Sequence, residues 1–174
     1  MDTEFIKSQV RDIVDFPIKG VIFKDLTTVF KRPDALKMVS DELYERYKSA
    51  GITKVVGIES RGFILGSIAA YKLNAGFVPM RKPGKLPAIT WQERYDNEYG
   101  SGTIEVHQDA ITEDDVILLH DDVLATGGTM LAAYHLLQRF NPKKIYINFL
   151  SEIVKLNGRK AFPEGTEIDA LIKL

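Results

Sequence analysis

The stretch Val116-Ile-Leu-Leu-His-Asp-Asp-Val-Leu-Ala-Thr-Gly-Gly-Thr-Met-Leu131 decides how the rest of the chain is interpreted. It starts with the apolar run Val116–Leu119, which is typical of a buried strand. Two carboxylates, Asp121 and Asp122, follow at the end of that strand, and the small-residue turn Ala125–Thr129 leads into a helical pattern. A strand, an acidic pair, a glycine turn and a helix start, in this order, predict a phosphate site.

The turn has the chemistry that a phosphate needs. Gly127 and Gly128 let backbone N–H groups approach an anion closely, and the N-terminus of the following helix adds positive potential. Thr126 and Thr129 add hydroxyl donors. The carboxylates would repel a phosphate, so sugar hydroxyls or a divalent metal are their expected targets. A phosphate, a diol and a metal side by side indicate a phosphorylated ribose. The stretch is neither a Walker loop nor a Gly-x-Gly-x-x-Gly dinucleotide turn.

The composition predicts one globular domain and excludes several classes of function. The 174 residues suit a single domain with a sizeable core, and the hydrophobic content of 45% is ordinary. A net charge of −1 offers no electrostatic footprint for nucleic acid. The chain has no cysteine for disulfides, no apolar run of membrane-spanning length and no secretory signal at its N-terminus. We therefore expect a cytoplasmic protein without nucleic-acid or membrane partners.

Strands alternate with helices over most of the chain. Such alternation predicts an α/β fold whose central, mostly parallel sheet is flanked by helices and joined by right-handed crossovers. Residues 81–107 interrupt the pattern with a basic loop and a hairpin around Gly100-Ser101-Gly102. The expected elements, beside the motif strand and its helix, are helices at Thr3–Val14, Pro33 to Gly51, Phe63–Leu73 and Val154–Ala161, and strands at Lys54–Ile58, Phe77–Met80, Thr90–Tyr99, Thr103–His107, Ile145–Leu150 and, at an edge, Ile168–Ile172.

Three segments follow neighbouring strands of the predicted sheet. Glu59–Gly62 leaves one strand, Arg81-Lys82 leaves the next, and the phosphate turn leaves the third. Ligands of open α/β sheets bind beyond the carboxyl ends of the strands. These three ends together can hold two anionic groups some distance apart.

The segment Asp121–Thr129 resembles the phosphoribosyl pyrophosphate (PRPP) motif of the type I phosphoribosyltransferases, in the version found in adenine phosphoribosyltransferases. Four further segments are similar to motifs of this family in the same order: Gly20–Asp25, Glu59–Phe63, Arg81–Pro87 and Glu98–Gly100. The resemblance covers nearly the whole chain. It implies a type I phosphoribosyltransferase fold in a single domain, 1–174, with a small base-binding hood at about 1–30 and a flexible loop and β-hairpin at about 82–107.

The resemblance also implies a role for each segment. The residues expected at the adenine are Ile22, Phe23 and Lys24. The residues expected at the pyrophosphate are Glu59, Ser60, Arg61, Arg81, Lys82 and Lys85, with a cis peptide bond around Glu59-Ser60. The residues expected at the ribose and its 5′-phosphate are Asp121, Asp122, Ala125, Thr126, Gly127, Gly128 and Thr129. The residues expected to act in catalysis are Glu98, which would handle a purine proton, Tyr99, which would cover the reaction centre, and Arg61.

The implied reaction is purine salvage: adenine and PRPP give AMP and pyrophosphate. Mg²⁺ is implied as cofactor, bound through substrate oxygens and water, with Asp121 and Asp122 as candidate protein contacts. The family is usually homodimeric, so a dimer is expected. The histidines His107, His120 and His135 lack metal-ligand spacing, and His120 departs from the apolar residue usual before the acidic pair.

Two alternatives stay open. One is a phosphoribosyltransferase for hypoxanthine, guanine or orotate. The 6-oxopurine enzymes typically carry an aspartate where this chain has Ala125, and orotate would call for cationic contacts that the mostly apolar hood does not offer. The other is a PRPP-sensing regulatory protein without turnover, which would need neither the basic loop at 81–87 nor the Glu98-Tyr99 pair.

Overall fold

The computed structural model describes residues 1–97 and 100–174. The helices in chain order are α1 (Thr3–Gln9), α2 (Thr27–Phe30), α3 (Pro33–Tyr47), α4 (Gly62–Leu73) and α5 (Gly128–Gln138). The strands are β1 (Arg11–Val14), β2 (Ile22–Asp25), β3 (Lys54–Ile58), β4 (Gly76–Met80), β5 (Thr90–Asn97), β6 (Gly100–His107), β7 (Val116–Leu124), β8 (Lys144–Glu152) and β9 (Ile168–Lys173).

Five strands form the central sheet in the order β4-β3-β7-β8-β9, and each neighbouring pair is parallel. The prediction of an α/β fold with a parallel sheet is confirmed. Helices α1 to α4 cover one face, with Val39, Leu43 and Leu65 buried in that layer. Helix α5 and strand β6 cover the other face, with Leu136 and Ile104 among its buried side chains. The motif strand β7 is the central strand of the five, with β3 on one side and β8 on the other.

The order of the strands brings the predicted ends together. Strands β4, β3 and β7 are adjacent, and Ile58 at the end of β3 pairs with Met80 at the end of β4. The segments that begin with Glu59 and Arg81 therefore emerge side by side, next to the phosphate turn. The predicted edge strand, Ile168–Ile172, is β9 at the edge of the sheet.

The N-terminal region differs from the prediction. A helix over Thr3–Val14 is wrong beyond Gln9, because Val10 is extended and Arg11–Val14 forms β1, which pairs antiparallel with β2. The Asp2 carboxylate caps α1 by accepting a hydrogen bond from the N–H of Phe5 at 3.0 Å. The helical spacing of apolar residues is real, but pairing with β2 takes over the second half of the segment.

The hairpin also differs in its turn. Strands β5 and β6 pair up to Asn97 and Gly100, so Gly100-Ser101-Gly102 lies within β6 and not in the turn. Gly102 is opposite Tyr95, and a Cβ at Gly102 would lie 2.6 Å from an atom of the Tyr95 ring. The glycine therefore makes room for a ring across the strands, and its presence does not indicate a turn.

Other elements also differ from the predictions. Strand β7 continues through the acidic pair to Leu124, since its ladder with β8 continues to Glu152. The predicted helix at Val154–Ala161 is two 3₁₀ turns, Val154–Leu156 and Gly158–Ala161. Helix α2 was not expected. Among residues 1–97 and 100–174, none of the helices combines the length and the apolarity that a membrane crossing requires.

Substitution of Gly62 tests how closely α4 packs on β7. An added Cβ would lie 2.8 Å from the carbonyl oxygen of His120 and 3.1 Å from Asp121 Oδ1. We expect Gly62→Ala to lower the free energy of unfolding by about 1–3 kcal/mol, because overpacking against backbone outweighs the better helix propensity of alanine. Urea unfolding measures this, with the exposed Ser67→Ala in the same helix as the control. A Gly62→Ala protein as stable as the wild type would contradict it.

Candidate functional site

A cavity of about 610 Å³ lies beyond the carboxyl ends of β7 and β8. This volume is within the range of small-molecule sites. The hood lines it through Gly20–Lys24, and the phosphate turn lines it together with the start of α5. Arg61 and the acidic pair line it as well. The structure thus brings together the hood, Arg61 and the whole of the Asp121–Thr129 motif.

The phosphate turn has the backbone that its glycines predict. Gly127 is the N-cap of α5 and has a φ of +89°, a left-handed conformation that favours glycine. A Cβ there would also lie 2.5 Å from the carbonyl oxygen of Gly158. A glycine cap offers no side-chain acceptor to the first N–H groups of α5. Those groups, at Gly128, Thr129 and Met130, belong to residues that line the cavity, so the turn can bind an anion there.

The acidic pair lies at the floor of the cavity. Asp122 is 3% exposed and forms an ion pair with Arg61, while Asp121 Oδ1 accepts a hydrogen bond from the Asp122 N–H at 2.8 Å. Burial raises the pKa of Asp121, and the neighbouring charge of Asp122 raises it further. Burial also raises the pKa of Asp122, although Arg61 opposes this. The pair is poised to accept hydrogen bonds or a cation, either of which would stabilise its negative charge.

Arg61 connects the acidic pair to the hood. Its guanidinium carbon lies 5.1 Å from the centre of the Phe23 ring, a cation–π contact. The Phe16 ring meets the Phe23 ring edge-on at 5.2 Å. Lys24 on the same strand pairs with Asp12 of β1 at 2.7 Å, which ties the two strands of the hood together. Ile22 is 55% exposed and lines the cavity.

Comparison with known proteins agrees with this geometry. The family described as "Phosphoribosyl transferase domain" matches residues 25–153. The chain belongs to the phosphoribosyltransferase family. Within it, the chain is 59% identical to the adenine phosphoribosyltransferase of Phocaeicola vulgatus over all 174 residues and the whole of that protein.

Two solved members of the family have the same fold. The APRTase of Giardia lamblia complexed with 9-deazaadenine is 47% identical, with a TM-score of 0.95 over 100% of this chain and 98% of its own. The adenine phosphoribosyltransferase of Saccharomyces cerevisiae, complexed with an imino-altritol bisphosphate and adenine, is 32% identical, with a TM-score of 0.89 over 97% of each chain. The prediction of the family and of the type I phosphoribosyltransferase fold is confirmed.

The segments that the family resemblance assigns to pyrophosphate form a second group beside the cavity. The Arg81 guanidinium pairs with the Glu59 carboxylate at 3.2 Å, and the Lys82 N–H donates to the same carboxylate at 3.0 Å. Although burial opposes it, these donors hold the pKa of Glu59 below its usual range. The Lys85 carbonyl accepts a hydrogen bond from Arg81 at 3.2 Å. Glu59 therefore orients the basic segment, and the Glu59-Ser60 bond is cis, as predicted.

Glu98 and Tyr99, the other residues expected in catalysis, lie outside the described residues. Their neighbours on the strands are described, and the hairpin runs to the phosphate turn. The Asp96 carbonyl oxygen lies so close to Gly128 that a Cβ on Gly128 would collide with it. Gly128 does not have a left-handed φ. A glycine is needed at this position because a side chain would occupy the space of the Asp96 carbonyl.

Sequence reasoning missed part of the cavity. Phe149, Ile153, Lys155 and Leu156 line it as well. They belong to β8 and the turn that follows it, and β8 pairs with β7, so its carboxyl end reaches the same edge of the sheet. That rule about strand ends was the available signal.

His120 is fully buried next to the acidic pair but has a structural partner. Its Nδ1 lies 2.9 Å from the side-chain oxygen of Asn148, and burial lowers the pKa of His120 to about 4. The imidazole is therefore neutral near neutral pH, and it belongs to the interior of the sheet.

The raised pKa of Asp121 predicts a stability cost. Between the unfolded value near 3.8 and the higher folded value the native state binds more protons, so stability falls as pH rises through that window. We expect Asp121→Asn, which keeps the acceptor oxygen, to raise the Tm at about pH 7.5 by roughly 2–4 °C, for a cost of about 1 kcal/mol. Near pH 4 the difference should shrink.

Thermal unfolding at both pH values measures this effect. The exposed Asp114→Asn is the control, because Asp114 forms only a surface ion pair with Lys143. An Asp121→Asn protein no more stable than the wild type at the higher pH would show that the carboxyl carries no such cost.

Proposed function

We propose that this protein transfers the phosphoribosyl group of PRPP to adenine, giving AMP and pyrophosphate, in purine salvage. One observation carries the proposal: a single cavity is lined by an aromatic hood, a glycine phosphate turn and an acidic pair. A base, a ribose and a 5′-phosphate need these three environments in one cavity. The curated relatives of the chain bear the name of the same activity.

The motif holds the sugar end of PRPP. Residues Ala125–Thr129 bind the 5′-phosphate through their N–H groups and hydroxyls and through the start of α5. Asp121 and Asp122 accept hydrogen bonds from the ribose hydroxyls. Burial disfavours the charged forms of both carboxyls. Hydrogen bonds donated by the sugar hydroxyls stabilise those charged forms, which favours binding of the ribose.

The hood holds adenine. Phe23 stacks on the ring, and the backbone groups of Ile22 and Lys24 face the adenine edge, which presents an amine donor beside an acceptor nitrogen. The Giardia and yeast relatives are complexed with 9-deazaadenine and with adenine, respectively, which supports a base site of this kind. Ala125 supplies no acid for a 6-oxopurine.

The reaction breaks the bond from the ribose C1 to pyrophosphate while adenine N9 attacks C1. Positive charge builds on the sugar, as in glycoside cleavage. Glu98 accepts the purine proton, at N7, and Tyr99 covers the reaction centre. Arg61, held by Asp122, together with Ser60, Arg81, Lys82 and Lys85, binds the departing pyrophosphate, and Glu59 orients Arg81 and Lys82 for that contact. Closing the loop keeps out water, which would otherwise capture the ribosyl cation.

The residues at the cavity floor fit a divalent cation. Two adjacent carboxyls with raised pKa values gain from a nearby positive charge, and the described residues contain no cluster of three or more metal-ligating side chains. Mg²⁺ prefers such sites, with substrate oxygens and water completing its coordination. Asp121 and Asp122 would hold it, and when bound it supplies neutralisation of the pyrophosphate charge.

The organisation of the chain is part of the proposal. We infer one domain over 1–174, with the hood at about 1–30 and the loop and hairpin at about 82–107. A cytoplasmic homodimer follows from the family resemblance, and sedimentation of the purified protein tests the dimer.

Product formation tests the proposed function directly. Purified protein is assayed with PRPP, Mg²⁺ and, in turn, adenine, hypoxanthine, guanine and orotate. We expect AMP from adenine and at least about a hundredfold lower kcat/KM for the other bases, since the hood's backbone would leave polar groups unpaired with them. Faster turnover of another base would reassign the substrate, and tight PRPP binding without any product would favour a sensor.

Substitution of Glu98 tests its proposed role as the acid or base for the purine. We expect Glu98→Gln to lower kcat by about 10²- to 10⁴-fold, the usual contribution of a general acid or base, and to leave the KM for PRPP within about threefold. Steady-state kinetics measure both. Glu113→Gln, which changes an exposed carboxylate just before the amino end of β7, serves as the control. Wild-type turnover in Glu98→Gln would remove Glu98 from the mechanism.

A further inference from the structure

Strand β5 lies along the whole length of α5. At one end of the helix, the Trp91 ring packs on the Phe140 ring with centroids 4.6 Å apart. Beside it, Glu93 forms an ion pair with Arg139, which follows α5 directly. At the other end, the Asp96 carbonyl packs against Gly128 of the phosphate turn. Gly128 and Arg139 are about 17 Å apart along the helix axis at ~1.5 Å per residue.

None of the four residues at the far end belongs to a motif that the proposed function uses. Trp91, Glu93, Arg139 and Phe140 do not line the cavity among the described residues. Arg139 is 45% and Glu93 25% exposed on their side chains, so this ion pair alone is a weak anchor. The aromatic contact adds apolar burial, because both rings pack against the core cluster under α5.

We propose that the Glu93–Arg139 ion pair and the Trp91–Phe140 contact position the hairpin for catalysis. They hold β5 in one register on α5, and that register brings the end of the hairpin to Gly128. The residues that connect β5 to β6 in the chain are Glu98 and Tyr99, so the inference rests on the proposed function. Glu93 and Arg139 are positioning residues, since they act through the hairpin and not on the substrate.

Contacts at one end of α5 affect the other end of β5 because the strand lies along a rigid helix. Strand β6 is anchored in the core through Ile104 and Val106 and bridges to Arg81 through Glu105. Strand β5 is the outer strand of the pair; beside its backbone ladder with β6, the Glu93 and Trp91 side chains hold it on the far end of α5. A like-charge pair in place of Glu93–Arg139 would push β5 away at the far end and shift its other end relative to Gly128.

The sole tryptophan of the chain makes the proposal measurable, because Trp91 lies at this contact. The variants are Arg139→Glu, Glu93→Arg and the exchange that combines them. Lys143→Glu is the matched control, since it reverses a charge in another surface ion pair, with Asp114, just beyond α5. The readouts are acrylamide quenching of Trp91, kcat and KM, the Kd of ribose 5-phosphate, and the Tm.

We expect each single reversal to raise quenching of Trp91 and to lower kcat by roughly two- to fivefold, the scale of an exposed ion pair. The Kd of ribose 5-phosphate should stay within about twofold, because Ala125–Thr129 are untouched. The exchange should restore both quenching and kcat. A general loss of stability would instead move the Tm and the Kd together and would not be rescued by the exchange.

Two results would overturn the proposal. One is quenching and turnover in Arg139→Glu equal to those of Lys143→Glu. The other is an exchange variant that stays as impaired as the single reversals. Quenching of Trp91 needs no catalysis, so a protein that forms no AMP would refute the proposed function while the fluorescence still decides whether this contact holds the hairpin.

Discussion

The structure around the cavity depends on how two adjacent carboxyls are kept below the surface. Asp121 and Asp122 lie side by side in β7, and burial raises the pKa of both. Arg61 compensates for part of this cost through its ion pair with Asp122, and the same guanidinium packs over Phe23. One side chain therefore joins the central sheet, the start of α4 and the hood. Desolvation of the two carboxyls lowers the stability of the fold, and hydrogen bonds or a cation from a bound ligand would offset that loss.

Close approach of backbone segments is the second constraint. Gly62 lets α4 rest on β7, Gly127 supplies the left-handed turn, and Gly128 admits the Asp96 carbonyl. Three glycines that look alike in sequence thus serve three different contacts. The phosphate turn is consequently also the surface against which the hairpin packs, so sugar binding and hairpin placement share one helix terminus.

Local patterns predicted much of the fold. The alternation of apolar runs with helical spacing identified the parallel sheet, Lys54–Ile58 was found with its observed bounds, and Pro33 marked the first turn of α3. The same rules erred where a tertiary partner took over. Arg11–Val14 pairs with β2, and Gly102 faces Tyr95, although the first segment has helical spacing and the second a turn composition. Lys155 and Leu156 were missed because they follow a strand with no motif of its own.

The sequence by itself determined the class of the fold, the phosphate turn and the acidic pair, because apolar periodicity and turn chemistry are properties of short segments. The resemblance of its motifs to those of known proteins indicated the family. Only the tertiary structure decided which distant groups meet. Three contacts join residues far apart in the chain: Arg61 pairs with Asp122, Arg81 pairs with Glu59, and β5 packs along α5. Such contacts depend on strand order, register and packing, which short-range patterns do not encode.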